Sequence, residues 1–269
     1  MSKRLVKLII SIFYLFYLKI KSKDSYSKSK IFTIIYYHSV GKEQVSNFIR
    51  QLDFLCNKVT FISLLDKENA KCNTHKIHVS ITFDDALLSV LENAQPELIK
   101  RSIPFTIFVP TGFIGKYPSW DIDSEEKIIY EPVMTIEQLK MLDKNLCTIG
   151  SHTVNHKNLT LLSLGEAKIE MQSSKEMLEK LLNTKIELFS FPYGAYNSKL
   201  VELAKEIGYK GIYTVDYSFA SPNKDDYKFG RIAVCPSDWV IELYLKIRGG
   251  YNWISILQRR RYFKNRINL

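Results

Sequence analysis

Short β-branched and aromatic runs alternate with helical patterns through the middle of this chain, and that alternation constrains the fold more tightly than composition does. The runs cover residues 31–37, 77–83, 105–109, 146–150, 188–191, 211–214 and 229–234. In the second, Val79, Ile81 and Phe83 alternate with Ser80 and Thr82, the period of two that marks a strand. Between the runs, Val45, Phe48, Ile49, Leu52 and Leu55 form a helical stripe, and the next helix is interrupted or restarted at Pro96. Thr135 with Gln138 and Ser163 with Glu166 read as capping boxes, the second opening a helix with Ala167, Met171, Leu178 and Leu181 on one face. Asn197 caps another helix that stops near Gly208, and a last one covers residues 237–247. Strands alternating with helices predict an α/β fold with a parallel sheet, here closed on itself. At 269 residues, 46% of them hydrophobic, the chain has an ample core for one domain of barrel size.

The candidate reactive groups follow these runs, as the catalytic face of a β/α barrel requires. The second run ends in Asp84 and Asp85. Successive side chains of a strand point opposite ways, so one carboxylate can hold a metal while the other handles a proton. Asp is also a favoured helix N-cap, and the pair alone is compatible with a solvated turn. The fourth run delivers His152 and His156, whose spacing of four suits one face of a helical turn. One Asp and two His supply three ligands and leave a coordination position open, which points to a metal hydrolase. His38 closes the first run, whereas His75 and His78 enter the second from its opposite end and read as surface or core residues. The four cysteines show no C-x-x-C spacing and indicate neither a thiolate zinc site nor a disulfide framework.

These segments resemble the polysaccharide deacetylase family, which shares the chitooligosaccharide deacetylase (NodB) homology domain. Thr82-Phe83-Asp84-Asp85 and His152-Thr153-x-x-His156 match its first two motifs, and Phe191-Pro192-Tyr193-Gly194 matches its third. Residues 102–109 and 134–139 fit the intervening segments, so the resemblance runs from about residue 31 to 232. It implies an irregular (β/α)7 barrel that removes acetyl groups from N-acetylated sugars of a surface polysaccharide or glycan precursor. Asp84 is then the general base, and Asp85, His152 and His156 hold a divalent metal, Zn2+ or else Co2+, Ni2+ or Mn2+. Pro192 fixes a loop whose Tyr193 backbone N–H is the implied oxyanion donor.

The chain also departs from the family pattern. Most members draw a catalytic acid from a Leu-x-x-His motif near the C-terminus, and no histidine follows His156 here. A permuted subgroup, similar to poly-N-acetylglucosamine deacetylases, opens its domain with a Tyr-His strand, which nominates His38 as the acid. Ser190 stands where many members have an arginine, and Arg231, at the end of the last run, is the candidate to replace that guanidinium and orient Asp84. Ala86 replaces the usual glycine after the acids, and Asp238-Trp239 is similar to a fourth motif placed late. Trp120, Tyr193 and Tyr196 are candidates to stack on sugar faces. Two other readings are a deformylase or deacetylase of a lipid-linked sugar and a catalytically silent carbohydrate-binding relative.

The net charge of +10 is unevenly spread. Residues 1–30 carry eight Lys or Arg against one acid, residues 248–269 carry six against none, and the middle holds 24 basic against 27 acidic residues. Basic ends on a mildly acidic middle argue against nucleic acid and for an anionic membrane surface. Residues 8–18 are uncharged and aromatic, shorter than a bilayer span, with no small-residue cleavage site after them. The expected organisation is a membrane-associating segment and linker over 1–30, a catalytic domain over 31–248 and a basic tail over 249–269, at a membrane of the bacterial cell envelope.

Overall fold

The computed structural model describes residues 3–21, 31–66, 77–120, 131–220 and 226–255. The linker at 22–30, His75 and the tail from 256 lie outside them. In chain order the elements are α1 (Lys3–Lys21), β1 (Phe32–Tyr37), α2 (Val45–Cys56), β2 (Val59–Phe61), β3 (Ile77–Phe83), α3 (Gln95–Lys100), β4 (Phe105–Val109), α4 (Ile136–Lys140) and β5 (Cys147–Ser151). They continue with α5 (Leu164–Leu182), β6 (Leu188–Ser190), α6 (Ser198–Glu206), β7 (Gly211–Tyr213), β8 (Lys228–Phe229), β9 (Ile232–Ala233) and α7 (Val240–Ile247). Thr135, Ser163 and Asn197 cap α4, α5 and α6 through their side-chain oxygens, as their positions before each helix predict. The helix expected across Pro96 begins as a π-helical turn, Val90–Ala94, and continues as α3.

Neighbouring strands are parallel in the order β8-β7-β6-β5-β4-β3-β1-β9. The last run, expected as one strand, is split at Gly230 and Arg231. Its first half pairs with β7 and its second with β1, so one short stretch of chain joins both edges of the sheet. That closes the barrel and leaves Arg231 at the seam. β2, not foreseen from the sequence, pairs with the first part of β3 through Val59↔Ile77 and Phe61↔Val79, ahead of the part that takes β4.

Alternate strand positions feed two cores. Ile35, Tyr37, Ile81, Phe83 and Ile107 pack with helix residues such as Phe48, Leu52, Met171 and Leu243. Phe32, Ile34, Phe108, Leu188, Tyr213 and Phe229 form a second cluster, which fills the barrel. All seven residues of β3 are buried, so its polar positions need partners. Ser80 Oγ donates to the Ile62 carbonyl at 2.6 Å and Thr82 Oγ1 to the Ile35 carbonyl at 3.0 Å. Gly150 lies opposite Phe108 in register, and a Cβ there would come within 2.5 Å of that ring, so glycine makes room for the filling side chain.

Candidate active site

The barrel-facing positions of several strands run out at one end into a single cavity of about 560 Å³, lined by Tyr36, His38, Asp84, Asp85, Trp120, His152, His156 and Tyr193 among others. Tyr36 and Thr82 are register partners across β1 and β3, so His38 and Asp84, two positions further on, leave the same end of the sheet. The structure therefore brings His38, both aspartates, both histidines of the second motif and Tyr193 together.

Arg231 reaches this group from the seam. Its Nη1 and Nη2 donate to Asp84 Oδ1 and Oδ2 at 2.6 and 2.8 Å, a two-pronged pairing. Nη2 also donates to Ser190 Oγ at 2.7 Å, Nη1 to Thr82 Oγ1 at 3.2 Å and Nε to the Thr214 carbonyl at 3.3 Å. The guanidinium carbon lies 4.7 Å from the Tyr36 ring centre and 5.2 Å from that of Phe108. Contacts to β1, β3, β4 and β6 at once are available only to a side chain that the sheet wraps around. Ser190, where many family members have arginine, is one of its acceptors. Burial alone pushes the Asp84 carboxyl up, but the charge and hydrogen bonds of Arg231, with His152 and His38, outweigh it and hold the carboxyl at about 2.

Asp85 points the other way, towards the histidines. Its Oδ1 lies 3.6 Å from His152 Nε2 and 3.3 Å from His156 Nε2. The three donors lie within 4.8 Å of one another, and all three residues are buried. His152 Nδ1 is 2.8 Å from the Ser190 carbonyl, which can only accept, so Nδ1 carries a proton and Nε2 is the nitrogen turned towards Asp85. Asp85 Oδ1 is buried with no hydrogen-bond partner among the described residues. Burial raises the Asp85 carboxyl, opposed by His38 and His152, and lowers the His156 imidazole to about 2, with His152 adding to the effect. A buried carboxylate oxygen without a donor, facing two imidazole nitrogens, fits a divalent cation.

The second motif is not the helical turn that its spacing suggests. Residues 152–156 form a loop in which Thr153 and His156 adopt φ of 68° and 51°. Asp85, Ala86 and Tyr193 are also left-handed, so five of the seven non-glycine residues with positive φ among the described residues belong to the three motifs or directly follow them. At Ala86, φ 50° accounts for the glycine that most of the family has there.

Sequence reasoning missed Glu170. From α5 its carboxylate accepts the backbone N–H groups of Val154 and Asn155 at 3.0 and 2.8 Å and the Asn155 side-chain amide at 2.7 Å. It pins the histidine loop, yet at sequence level it is one acid among several on a helix. Trp120 stacks on His156 with ring centres 4.0 Å apart, and its Nε1 lies 3.4 Å from Asp85 Oδ2, so it covers the donors as well as lining the cavity. Tyr193 meets His156 edge-on at 4.8 Å. Pro192, buried, opens the single turn that carries Tyr193 and Gly194. Tyr196 does not line the cavity; it stacks on Phe191 and its hydroxyl donates to Asp216 Oδ2 at 2.6 Å. Asp238 and Trp239 lie at the start of α7, where Lys246 and Arg4 engage them. His78 is a buried residue of β3, away from the cavity.

Comparison with known proteins agrees with this geometry. Residues 71–212 match the family model described as polysaccharide deacetylase. YxkH of Bacillus subtilis is 29% identical over 170 residues, which are 63% of this chain and 54% of that protein, so the matched stretch spans about half of its length. The poly-β-1,6-N-acetyl-D-glucosamine N-deacetylase of Staphylococcus aureus is 28% identical over 236 residues, covering 81% of this chain and 78% of the relative. Among solved structures, the Streptococcus pyogenes deacetylase PplD in complex with acetate superposes with a TM-score of 0.67 at 25% identity, over 81% of this chain and 98% of that one. IcaB from Ammonifex degensii shares the fold, with a TM-score of 0.68 at 24% identity over 83% and 98% of the two chains. With all three motifs on one rim of a closed barrel and the family model spanning more than half of its length, this chain belongs to the polysaccharide deacetylase family.

Proposed function

We propose that this protein is a metal-dependent N-deacetylase of N-acetylglucosamine polymers in the bacterial cell envelope. The observation that carries the reading is a carboxylate, Asp84, held ionised by Arg231 beside three converging donors, Asp85, His152 and His156, in a cavity shared with His38. The named activity of the staphylococcal relative supports the polymer as substrate class. The donor set suits Zn2+, with Co2+, Ni2+ and Mn2+ as substitutes. When bound, such a cation would polarise the amide carbonyl and lower the pKa of water, easing its deprotonation to the nucleophile.

The chain's own groups then divide the remaining work. Asp84 takes the proton of the attacking water, a task for which a carboxyl held near 2 is always charged at neutral pH. The Tyr193 backbone N–H donates to the oxyanion that develops on the former carbonyl oxygen. As the carbon–nitrogen bond breaks, His38 delivers a proton to the departing amine, leaving acetate and the free amino sugar. Arg231 positions Asp84. An intact donor set and a clamped base favour this chemistry over a silent binding role, and the basic ends support work at an anionic membrane surface.

Acetate release from short β-1,6-linked N-acetylglucosamine oligomers tests the assignment. Asp84→Asn and His38→Ala are each expected to lower kcat by about 10²-fold or more. Unchanged turnover in Asp84→Asn removes the base from the account, and unchanged turnover in His38→Ala removes the acid.

A further inference from the structure

Among the described residues, exposed large apolar side chains concentrate on α1, none of whose residues lines the catalytic cavity. Leu8, Ser11 and Leu15 are buried on one side of that helix, where Leu8 and Leu15 cluster with Leu245 and Tyr251. Trp253 Nε1 donates to Ser11 Oγ at 2.9 Å. Arg4 pairs with Glu242, donates to the Ser237 carbonyl at 2.7 Å and lies 4.5 Å from the Trp239 ring centre. Most of the remaining circumference is apolar and exposed, including Ile9, Ile12 and Tyr17, with Phe13 and Phe16 at 69% and 62% exposure. A helix with apolar residues on nearly all sides requires a second apolar environment.

We propose that α1 lies in the plane of an anionic lipid bilayer, its outer face among the headgroups and upper acyl chains and its back fastened to α7. The helix is tied to the folded domain from Arg4 to Leu15, and none of the described helices is long and apolar enough to cross a membrane. Spanning would break those ties, whereas lying flat keeps them. Charge selects lipid over a second copy of the chain. The sequence of α1 carries five basic residues and no acidic one, and the stretch after α7 is equally one-sided. Pairing two such helices would bring like charges together, while anionic headgroups neutralise them. Phe and Tyr among the exposed residues suit the interfacial layer.

The packing also fixes an orientation. Arg4 meets residues that open α7, and Ser11 meets Trp253 beyond its end, so the two helices run the same way along the barrel's flank. The α7 start follows β9, whose partner β1 leads to His38. Docking through α1 thus holds the cavity at a set position beside the membrane. The proposal rests on the envelope location given above, not on the deacetylation chemistry.

Sedimentation of the full chain with phosphatidylcholine vesicles, with and without phosphatidylglycerol, tests it. The wild type should bind the phosphatidylglycerol vesicles, more weakly at high salt, and be released by alkaline carbonate. The double variant Phe13→Ser/Phe16→Ser should bind at least about tenfold more weakly while acetate release from a soluble oligomer stays unchanged. The proposal is overturned if the variant binds as the wild type does, if the lipid charge makes no difference, or if carbonate fails to release the protein. It is also overturned if light scattering shows a dimer that the two substitutions dissolve. Vesicle binding without any acetate release would refute the chemistry and leave the docking intact.

Discussion

A carboxylate buried as deeply as Asp84 keeps its charge because Arg231 meets both of its oxygens, and that pairing makes the residue usable as a base. Arg231→Lys replaces a planar fork by a point charge. The expected outcome is a fall in kcat of about tenfold or more with KM nearly constant, and an acidic limb of the pH–rate profile shifted upward, since Asp84 loses part of what holds it down. Stability follows the same group. The folded carboxyl sits at about 2 against an ordinary 3.8, so the folded state binds fewer protons between those values. Its contribution is complete above about pH 4 and lost as pH falls towards 2. His156 acts in the same direction over a wider window, from its ordinary 6.5 down to about 2, because it is buried neutral. The raised Asp85 opposes both, its contribution fading as pH rises above the ordinary carboxylate value. Thermal melts of metal-stripped protein should therefore show Tm falling as pH drops below about 6.5, and a His156→Phe variant should lose most of that slope between pH 4 and 6.5.

At the scale of elements, the site depends on three loops whose backbones are strained and on one helix that holds the middle loop. Glu170 on α5 takes up three N–H groups of residues 154 and 155. Glu170→Ala leaves them without acceptors and frees His156 to drift from Asp85 and His152. Zinc affinity measured by calorimetry should drop by about 10–100-fold, with the helix content seen by circular dichroism unchanged. Unaltered affinity would mean that the loop is held by Thr153 and the surrounding packing alone. Local patterns were the readable part of this architecture. The capping boxes and the strand ends carry their signals within a few residues, and Asp84, Asp85, His152 and His156 stood out because they follow such ends. The spacing of the histidines misled, because a four-residue separation looks the same in a helical turn and in a loop with two left-handed residues. Left-handed φ on Thr153 and His156 has no sequence signature, unlike a glycine.

For the whole molecule, closure is what creates the site. The seam at Gly230 and Arg231 joins the two sheet edges and inserts the guanidinium among side chains from four strands, so Arg231 could be nominated by position while its partners came only with the fold. The docking of α1 was equally invisible, since Arg4 and Glu242 are 238 residues apart in the chain. Deleting residues 1–30 uncovers Leu245 and Tyr251 and should lower Tm by several degrees while acetate release from soluble oligomers at low temperature persists. Loss of turnover in a folded truncation would instead tie α1 to the site. The central claim is that Asp85, His152 and His156 hold one divalent ion that the chemistry needs. It is tested most directly by stripping the full chain with chelator, refilling it with Zn2+ or Co2+, and following bound metal and acetate release from N-acetylglucosamine oligomers together, beside a His152→Ala variant. One ion per chain is expected, with turnover that disappears on stripping and returns on refilling, and neither in the variant; acetate release that persists in the stripped protein or in the variant would mean that the ion is not needed.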